Sequence, residues 1–365
     1  MDDAVSGAPP IPVAIEEVTP AWLTAALNYG GIEAVVDTVQ IEPVGVGVGI
    51  MSLLFRLTPV YGAGDGPASM ILKMAPPYEQ VRAVAAGYGF YEREVEIYRS
   101  LGDKVGLRPP LLYFADHDAT TDDFVVVMED FGSLRCCDQL DGCSPADAHH
   151  IVQALAEHHA AWWADDRLTT LGFIHPWADP PYPQYHLEST TQQWPVLIER
   201  FGHLVPERIR ALGDRWAEIG PALMEDGPNH PCTLCHGDVR LDNVFFHDDA
   251  DDPVSIVDWQ IAGVAPGAGD LGYFMSQSLT VADRRAHEHD LVHLYHDTLV
   301  ARGVSDYPFA ELWDDYRRNV LFCLSYPMSV CAVELANDRA VALATAMLER
   351  SIAAIIDLDA DQLTP

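Results

Sequence analysis

The chain has 365 residues, of which 49% are hydrophobic and 21% are charged. This length is sufficient for two domains or lobes, and the composition is typical of a globular protein. The 55 acidic residues outnumber the 21 lysines and arginines, which gives a formal net charge of -34. Nucleic acid and anionic membranes are therefore disfavoured as partners, because both bind basic surfaces. A cationic substrate would be attracted, although an acidic surface more often serves solubility. No obligate protein partner is evident.

The N-terminal sequence and the cysteines predict a cytoplasmic protein. Residues 1–10 are acidic and lack the basic start and apolar core of a signal peptide. The seven cysteines are then expected to be free thiols. Cys232-x-x-Cys235-His236 matches the pattern for covalent haem attachment, which requires an exported protein, and the cysteines could alternatively form a zinc pair. We favour buried thiols that flank a functional loop.

The first third of the chain predicts a small β-rich lobe. After a flexible leader over residues 1–12, Thr19-Pro20 is a typical N-cap and first residue of a short helix. Apolar segments bounded by glycines and polar turns then predict a sheet of about five strands. They are Val39–Val44, Ser52–Thr58, Ser69–Met74, Leu111–Ala115 and Phe124–Met128.

A glycine-rich segment, Gly45-Val-Gly47-Val-Gly49, connects the first two predicted strands. It is not typical of a dinucleotide fingerprint, because it leads into a strand rather than a helix. Glycine allows close approach of the backbone, so Gly47 and Gly49 are candidates to cover nucleotide phosphates. A plain hairpin turn would have a similar sequence.

Lys73 is one of only two lysines, and it lies within the apolar third strand. A lysine there either extends from an edge strand into solvent or binds phosphate. The scarcity of lysine favours phosphate binding. A predicted helix over residues 88–101 places Glu94 beside its apolar face, where it could meet Lys73, with Glu92 and Glu96 as alternatives.

The apolar strand that ends at Met128 is followed by Glu129-Asp130, which marks a plausible lobe boundary. We therefore divide the chain into residues 1–128 and 129–365. The second part is mainly helical: Ser144-Pro145 is typical of a helix start, and 173–187 is predicted as an irregular loop. Further helices are predicted over 189–202, 206–225, 284–303, 309–335 and 340–358.

The strongest chemical signal is a set of three polar residues that flank short apolar strands. Asp238 precedes Asn243 by five positions, and Asp258 follows the next apolar strand. Carboxylate and amide oxygens are suitable ligands for Mg²⁺. An Asp-x-x-x-x-Asn segment followed by a strand and an Asp is the arrangement of the catalytic loop and metal-binding Asp in kinase folds.

Together with His236-Gly-Asp238 and Asp270-Leu-Gly-Tyr273, these residues resemble the aminoglycoside phosphotransferase and choline kinase branch of the protein-kinase-like fold. Three further segments resemble the ecdysteroid-kinase-like phosphotransferases more closely: Val127–Asp130, Asp138–Ser144 and His158–Trp163. The resemblance covers roughly residues 40 to 320. It implies an α+β, two-lobed protein-kinase-like fold with a small antiparallel β lobe, containing one helix, and a larger helical lobe.

The resemblance also implies a role for each motif residue. Asp238 would orient an acceptor hydroxyl and take its proton, while Asn243 and Asp258 would hold Mg²⁺ on the phosphates of ATP. Lys73, positioned by Glu94, would neutralise the α- and β-phosphates.

The remaining roles concern the loop and the lobe boundary. Arg240 is a candidate to contact the γ-phosphate, and His236 to brace the loop by hydrogen bonding. Asp270 would bind loop amides or cap the next helix. The backbone over Met128, Glu129 and Asp130 would bind adenine.

A protein substrate is disfavoured because about a dozen residues separate Asp258 from Asp270 and no Ala-Pro-Glu follows, which is too short for an activation segment. We therefore expect a small hydroxylated acceptor, such as an alcohol, an amino sugar or a sterol- or polyketide-like molecule. Trp162, Trp163, Trp177, Tyr182, Tyr185 and Trp194 either line an acceptor pocket or form core. The alternative function is a catalytically silent, nucleotide-binding scaffold.

Overall fold

The computed structural model describes residues 7–45, 51–249, 253–332, 335 and 337–364. The chain forms two compact units. The N-terminal unit extends to Leu134 and also includes Val257–Gln260, and the C-terminal unit contains Arg135–Ile256 and the chain from Ile261 onwards. The division at Leu134 lies slightly beyond the predicted boundary at residue 128, and the segment that contains Asp258 groups with the N-terminal unit.

The N-terminal unit contains an antiparallel sheet with strand order β1-β2-β3-β5-β4. Its elements are α1 Pro20–Tyr29, β1 Ala34–Val44, β2 Leu53–Gly64, β3 Met70–Met74, α2 Glu79–Tyr88, α3 Phe90–Glu96, β4 Leu112–Asp118 and β5 Asp123–Glu129. As predicted, Thr19 caps α1, because its side chain accepts a hydrogen bond from the Trp22 amide. The unit contains more helix than the single one expected.

The period-two alternation of β3 directs its side chains to opposite faces of the sheet. Met70, Leu72 and Met74 belong to a buried apolar cluster that also includes residues of α1. Lys73 lies on the other face and is only 2% exposed. The strand therefore stabilises the unit with one face and presents the lysine with the other.

Residues 7–12 belong to the segment predicted as a flexible leader. In the structure Pro9 and Pro12 are buried. The carbonyl of Pro10 accepts a hydrogen bond of 2.7 Å from the indole of Trp22. This part of the segment packs on the apolar cluster through α1.

The C-terminal unit is mainly helical, as expected for the larger part. Its helices are α4 Pro145–Ala161, α5 Tyr182–Phe201, α6 Glu207–Gly213, α7 Trp216–Asp226, α8 Ala268–Ser278, α9 Val281–Ala301, α10 Phe309–Phe322, α11 Ser325–Ala332 and α12 Asp338–Asp357. Its strands are β6 Arg135–Cys136, β7 Cys232–Cys235, β8 Val244–Phe246, β9 Val254–Ile256 and β10 Gly263–Pro266. β7 pairs with β10, and β6, β8 and β9 form a second small sheet.

Two predicted helices are each divided in two. The helix predicted over 206–225 is interrupted after Gly213, where the absence of a Cβ admits the ring of Trp194 and the Asp214 carboxylate accepts its indole hydrogen bond at 2.8 Å. The helix predicted over 309–335 is interrupted before Ser325. Pro327 has no amide hydrogen to donate to the carbonyl four residues earlier, which favours a break at this point.

The predicted loop over 173–187 is also shorter than expected, because α5 already begins at Tyr182. Pro183 lies in its first turn, where amides have no intrahelical acceptor and proline is tolerated. Within the described part of the chain, no helix has both the length and the apolar character to cross a lipid bilayer.

Leu72→Ala tests the core role assigned to β3. Leu72 is fully buried in the apolar cluster, so we expect truncation to lower the free energy of unfolding by about 2–5 kcal/mol. The measurement is urea unfolding followed by circular dichroism. Val60→Ala, at a position 58% exposed on the neighbouring strand, is the control and should change stability by less than about 0.5 kcal/mol. Equal effects of the two substitutions would contradict the assignment.

Candidate active site

A buried ionic cluster occupies the face of the N-terminal sheet opposite the apolar cluster. Lys73 donates hydrogen bonds to Glu94 Oε1 at 2.7 Å and to Asp258 Oδ1 at 2.9 Å. Of the three glutamates that the sequence left open, Glu94 is therefore the one that contacts Lys73. Glu94 is fully buried, whereas the Asp258 side chain is 32% exposed. One ammonium group is thus shared by two carboxylates, one of which is accessible.

The pKa values reflect this sharing. Burial raises the pKa of Glu94 to about 7. The negative charge of Asp258 also raises this pKa, whereas the positive charge of Lys73 lowers it. Burial lowers the pKa of Lys73, but the charges of Asp258 and Glu94 outweigh burial and hold it above its usual value. Lys73 therefore remains a cation in a site where an isolated ammonium group would be too costly to bury.

The backbone conformation of Asp258 and the hydrogen bonds of the Arg93 side chain define the structure around the ionic cluster. Asp258 has a φ of +71°, a left-handed conformation that costs a non-glycine residue about 1–3 kcal/mol and is retained where the surroundings enforce it. Arg93, next to Glu94, donates hydrogen bonds to the carbonyls of Gln260 at 2.7 Å and Tyr88 at 2.8 Å. The buried guanidinium group of Arg93 thereby fastens the helix to the segment that contains Asp258.

In the C-terminal unit, a single buried carboxylate organises the loop that contains Asp238. Asp270, in the first turn of α8, accepts hydrogen bonds from the amides of His236 at 2.6 Å and Gly237 at 2.8 Å. His159 contacts the same carboxylate at 3.1 Å through Nε2. Burial acts to raise the pKa of Asp270, but these partners outweigh burial and hold the pKa below its usual range. Asp270 thus binds loop amides, one of the two roles that the sequence left open.

The other loop residues complete the turn. Gly237 has a φ of +87°, which favours glycine. Nδ1 of His236 accepts a hydrogen bond of 3.2 Å from the Asp238 amide, and His236 is fully buried. In the structure His236 therefore braces the loop.

The carboxylate of Asp238 is held from several directions. Asn243 donates to Oδ2 at 3.0 Å, Tyr273 donates to Oδ1 at 3.0 Å, and Nε of Arg240 lies 3.4 Å from Oδ2. Burial raises the pKa of Tyr273 well above its usual value, and the charge of Asp238 adds to this shift, so the phenol keeps its proton and donates it. The Asp238 side chain nevertheless remains 22% exposed, so its carboxylate is accessible from solvent.

The residues predicted to bind a nucleotide base occupy the end of β5. Met128 is buried, and Glu129 exchanges hydrogen bonds with Leu111, through its backbone amide at 2.8 Å and its carboxylate at 3.1 Å. Asp130 forms an ion pair of 2.6 Å with Arg56 and accepts from the Gly132 amide. The side chains of Glu129 and Asp130 thus stabilise this segment. The predicted phosphate-covering residues Gly47 and Gly49 lie outside the described residues.

Comparison with known protein families identifies the family to which this chain belongs. The sequence profile of the ecdysteroid kinase-like family matches residues 47–303. The chain belongs to the ecdysteroid kinase-like family. The loop that contains Asp238, together with Lys73 and Asp258, lies within the matched region.

Curated relatives of this family member are distant. It is 24% identical over 236 residues to acyl-CoA dehydrogenase family member 11 of Rattus norvegicus, and 22% identical over 240 residues to an uncharacterised kinase-like protein of Caenorhabditis elegans. The aligned regions cover 63% and 60% of the chain. They cover 28% of the rat protein and 61% of the nematode protein.

Solved structures confirm the protein-kinase-like fold. Choline kinase from Cryptosporidium parvum superposes with a TM-score of 0.56 at 11% identity, with 89% of this chain and 92% of that one covered. Ethanolamine kinase from Plasmodium vivax gives 0.54 at 14% identity, covering 87% and 82%. The GDP complex of aminoglycoside 2'-phosphotransferase-IIIa gives 0.53 at 14% identity, covering 87% and 93%. Fold and family together place the chain among the kinase-like proteins.

The two residues predicted to bind Mg²⁺ each carry a side-chain oxygen of the kind that binds a hard divalent cation. Both hydrogen bonds of the Asn243 side chain use its Nδ2 group, so its carbonyl oxygen accepts no hydrogen bond within the described chain. Asp258 contributes an accessible carboxylate. Each of these oxygens, taken by itself, is the kind of donor that Mg²⁺ selects alongside phosphate oxygens and water.

Cys232 and Cys235 of the Cys-x-x-Cys-His segment direct their thiols at backbone carbonyls. The seven cysteines are free thiols, and Cys235 is buried, with its thiol directed at the carbonyls of Ala265 and Pro266. Cys235, His159 and Asp270 lie within reach of a common point. The hydrogen bonds to loop amides and to Tyr295 already use the polar atoms of Asp270 and His159, so we assign this cluster a structural role.

Several residues that support the site were not assigned a role from sequence. Gln139 is 1% exposed, and its Oε1 accepts a 2.7 Å hydrogen bond from the Leu241 amide, in the loop that contains Asp238. Arg350 of α12 donates to the carbonyls of Gln139, Leu140 and Gln277. Gln139 and Tyr273 lie in segments that carry the family resemblance. For Arg350, the one signal in the sequence for a buried role is its position on a helix face that is otherwise mainly apolar.

Glu94→Gln tests the raised pKa of Glu94. The folded-state value of about 7 lies above the ordinary value of 4.5, so between these pH values the folded protein binds more protons than the unfolded chain. The stability contributed by this group is fully present below pH 4.5 and is lost as pH rises through 7. We therefore expect the parent to lose free energy of unfolding relative to Glu94→Gln across this interval, measured by urea unfolding at each pH.

The exposed Glu92 of the same helix provides the control for this experiment. For Glu92→Gln, the difference from the parent should not follow this pH profile. A pH-independent difference between the parent and Glu94→Gln would contradict the raised pKa.

Proposed function

We propose that the protein is an ATP-dependent small-molecule kinase that transfers the γ-phosphate to a hydroxyl group. The observation that supports it most strongly is the burial of Lys73 between Glu94 and Asp258. A cation fixed between two carboxylates is costly to bury, and it contributes little to an apolar core. As a pre-organised charge for nucleotide phosphates it has a clear use. We also propose the cytoplasm as the compartment, since the substrate ATP is abundant there.

The group that acts on the acceptor, Asp238, belongs to the C-terminal unit. The acceptor oxygen forms a bond to the γ-phosphorus as the bond from that phosphorus to the β,γ-bridging oxygen breaks, and ADP leaves with the electron pair. Asp238 orients the acceptor hydroxyl and receives its proton as transfer proceeds. Because the transition state of phosphoryl transfer is loose, positioning and charge neutralisation contribute more than the strength of the base.

The remaining residues act on charge and position. Lys73 neutralises the α- and β-phosphates, and Arg240, beside Asp238, contacts the γ-phosphate as it is transferred. Asn243 and Asp258 would hold Mg²⁺, which when bound would neutralise phosphate oxygens. Tyr273 fixes the orientation of the Asp238 carboxylate through its hydrogen bond to Oδ1.

Asp258→Ala and Asp238→Asn separate nucleotide binding from transfer. Asp258→Ala removes a cation ligand and a partner of Lys73, so we expect the stabilisation by Mg-ATP in a thermal-shift assay to be lost. Asp238→Asn keeps the size of the side chain, so Mg-ATP affinity should stay within about threefold. Its turnover should fall by at least about 100-fold, because a positioned base typically contributes this much.

Exposed acids in the same units serve as matched controls. Asp65→Ala in the N-terminal unit and Asp248→Asn in the C-terminal unit should leave both measurements unchanged. Absence of any Mg-ATP effect on the parent protein would overturn the proposed function. Nucleotide binding without transfer to any acceptor would favour a silent scaffold.

Tyr273→Phe tests the orientation of Asp238. The substitution removes one hydrogen bond to Oδ1 while a ring remains to stack on Tyr326, 4.0 Å away between ring centroids. We expect kcat to fall about tenfold, equivalent to about 1.4 kcal/mol, with KM for ATP unchanged. The control is Tyr78→Phe, at a position 63% exposed. A change in KM for ATP with an unaltered kcat would contradict the positioning role.

A further inference from the structure

Helix α9 carries three histidines on one face, and none of them has a role in the proposed phosphotransfer. His289, His293 and His296 are four and three residues apart, and side chains at these separations are neighbours on a helix surface. His289 is exposed, and the other two are partly exposed. This face of the C-terminal unit is therefore accessible to a ligand from solvent.

Aromatic side chains of α10 hold two of these imidazole rings. The ring of His293 stacks flat on Phe309, with centroids 3.6 Å apart and an interplanar angle of 4°. His289 makes edge-type contacts with Phe309 and Trp313, at 5.7 and 5.5 Å between centroids. Such contacts restrict the side-chain rotamers of both histidines. Donors that are already ordered lose less entropy when they bind a ligand.

The ring nitrogens of His289 and His293 are available to a ligand. Within the described part of the chain, neither imidazole forms a hydrogen bond or an ion pair. His296 differs, because its Nε2 donates to the carbonyl of Tyr307 at 2.9 Å and its Nδ1 lies 3.7 Å from the Asp297 carboxylate. A neutral imidazole has one nitrogen with a lone pair. His289 and His293, here called the α9 histidine pair, therefore offer two such nitrogens.

The separation of the two rings suits a shared metal ion. Their centroids lie 4.6 Å apart, with an interplanar angle of 65°. An ion bound to one nitrogen of each ring at about 2.1 Å, in adjacent coordination positions about 90° apart, would place the centroids about 4.6 Å apart. Two histidines four residues apart on one helix also supply the metal-binding pair of the His-Glu-x-x-His motif. Spacing and distance thus both meet the requirements of a chelate.

The ligand type decides which ions this pair would bind. Imidazole nitrogen suits Ni²⁺, Cu²⁺ and Zn²⁺, whereas Mg²⁺ and Ca²⁺ select oxygen. The formal net charge of -34 attracts cations in general. Among the described residues, the one group of three or more candidate ligand side chains close enough to share an ion is His159, Cys235 and Asp270, in the core. The α9 histidine pair therefore supplies two ligands, and water would complete the coordination.

We propose that His289 and His293 form a surface binding site for a divalent transition-metal ion. One ring nitrogen of each histidine coordinates the ion, and water molecules occupy the other coordination positions. The site is separate from Asn243 and Asp258, the residues assigned to Mg²⁺, because those residues offer oxygen donors. It does not depend on the proposed kinase function, and either proposal can fail without the other.

Isothermal titration calorimetry with Ni²⁺, on the protein without a histidine tag, tests the site. Ni²⁺ is the probe because thiolates select Cu⁺ and Zn²⁺, and Cys136 is an exposed thiol. His289→Gln removes one donor, and His293→Phe removes the other while a ring remains to stack on Phe309. We expect one Ni²⁺ per chain in the parent and at least tenfold weaker binding in each variant, because a single histidine cannot chelate.

His149→Gln is the matched control. His149 and His150 are both exposed on α4, but they are consecutive, and their ring centroids are 6.0 Å apart. Consecutive side chains of a helix do not face each other. We expect the control to bind Ni²⁺ within twofold of the parent. Absence of binding by the parent, parent-like affinity of His289→Gln or His293→Phe, or equal weakening by the control would overturn the proposal.

Trp313 reports on the location of the bound ion. Its ring lies 5.5 Å from that of His289, and Ni²⁺ quenches the fluorescence of a nearby indole. We expect Ni²⁺ to quench the fluorescence of the parent. Trp313→Phe should keep its affinity for Ni²⁺ within threefold and lose most of this quenching. Quenching that is unchanged in Trp313→Phe would place the ion elsewhere and overturn the assignment to the α9 histidine pair.

Discussion

The ion pairs of Lys73 with Glu94 and Asp258 are the constraint on which the N-terminal unit depends. Burying an ammonium group costs several kcal/mol, and here two carboxylates at 2.7 and 2.9 Å offset that cost. The three residues come from separate parts of the chain: β3, α3 and the segment after β9. The apolar cluster on the opposite face of the sheet supplies the stability that permits one strand to carry a charged residue inward. Of the two carboxylates that share this cation, Asp258 is the accessible one.

The C-terminal unit is arranged around Asp270 in a similar manner. This buried carboxylate accepts hydrogen bonds from the amides of His236 and Gly237, and these bonds within the unit fix the shape of the loop. The neighbouring Asp238 is then fixed by Asn243 and Tyr273. Pre-organisation of this kind is what phosphoryl transfer requires, because its barrier is lowered chiefly by positioning and by charges that are already in place.

The candidate site residues could be predicted from the sequence, whereas the residues that hold them in position could not. Lys73 was conspicuous because lysine is scarce and the strand around it is apolar, and the spacing from Asp238 to Asn243 is typical of a kinase catalytic loop. Helical periodicity placed Glu94 beside an inner face but could not exclude its neighbours on the same helix. Gln139 and Arg350 act through contacts between residues more than 100 positions apart, and no local pattern reports such contacts. The break after Gly213 likewise depends on the ring of Trp194, which is distant in sequence.

We propose that Lys73 and the loop that contains Asp238 together promote the transfer of phosphate from ATP to an alcohol oxygen. The most direct measurement is ³¹P NMR of the parent protein incubated with Mg-ATP and, in turn, with menthol, borneol, farnesol, kanamycin and choline as candidate acceptors. We expect a new phosphate monoester resonance that grows as the γ-phosphate signal declines, with ADP formed in equal amount. An unchanged ATP spectrum, or conversion to inorganic phosphate alone in the presence of every acceptor, would contradict this function.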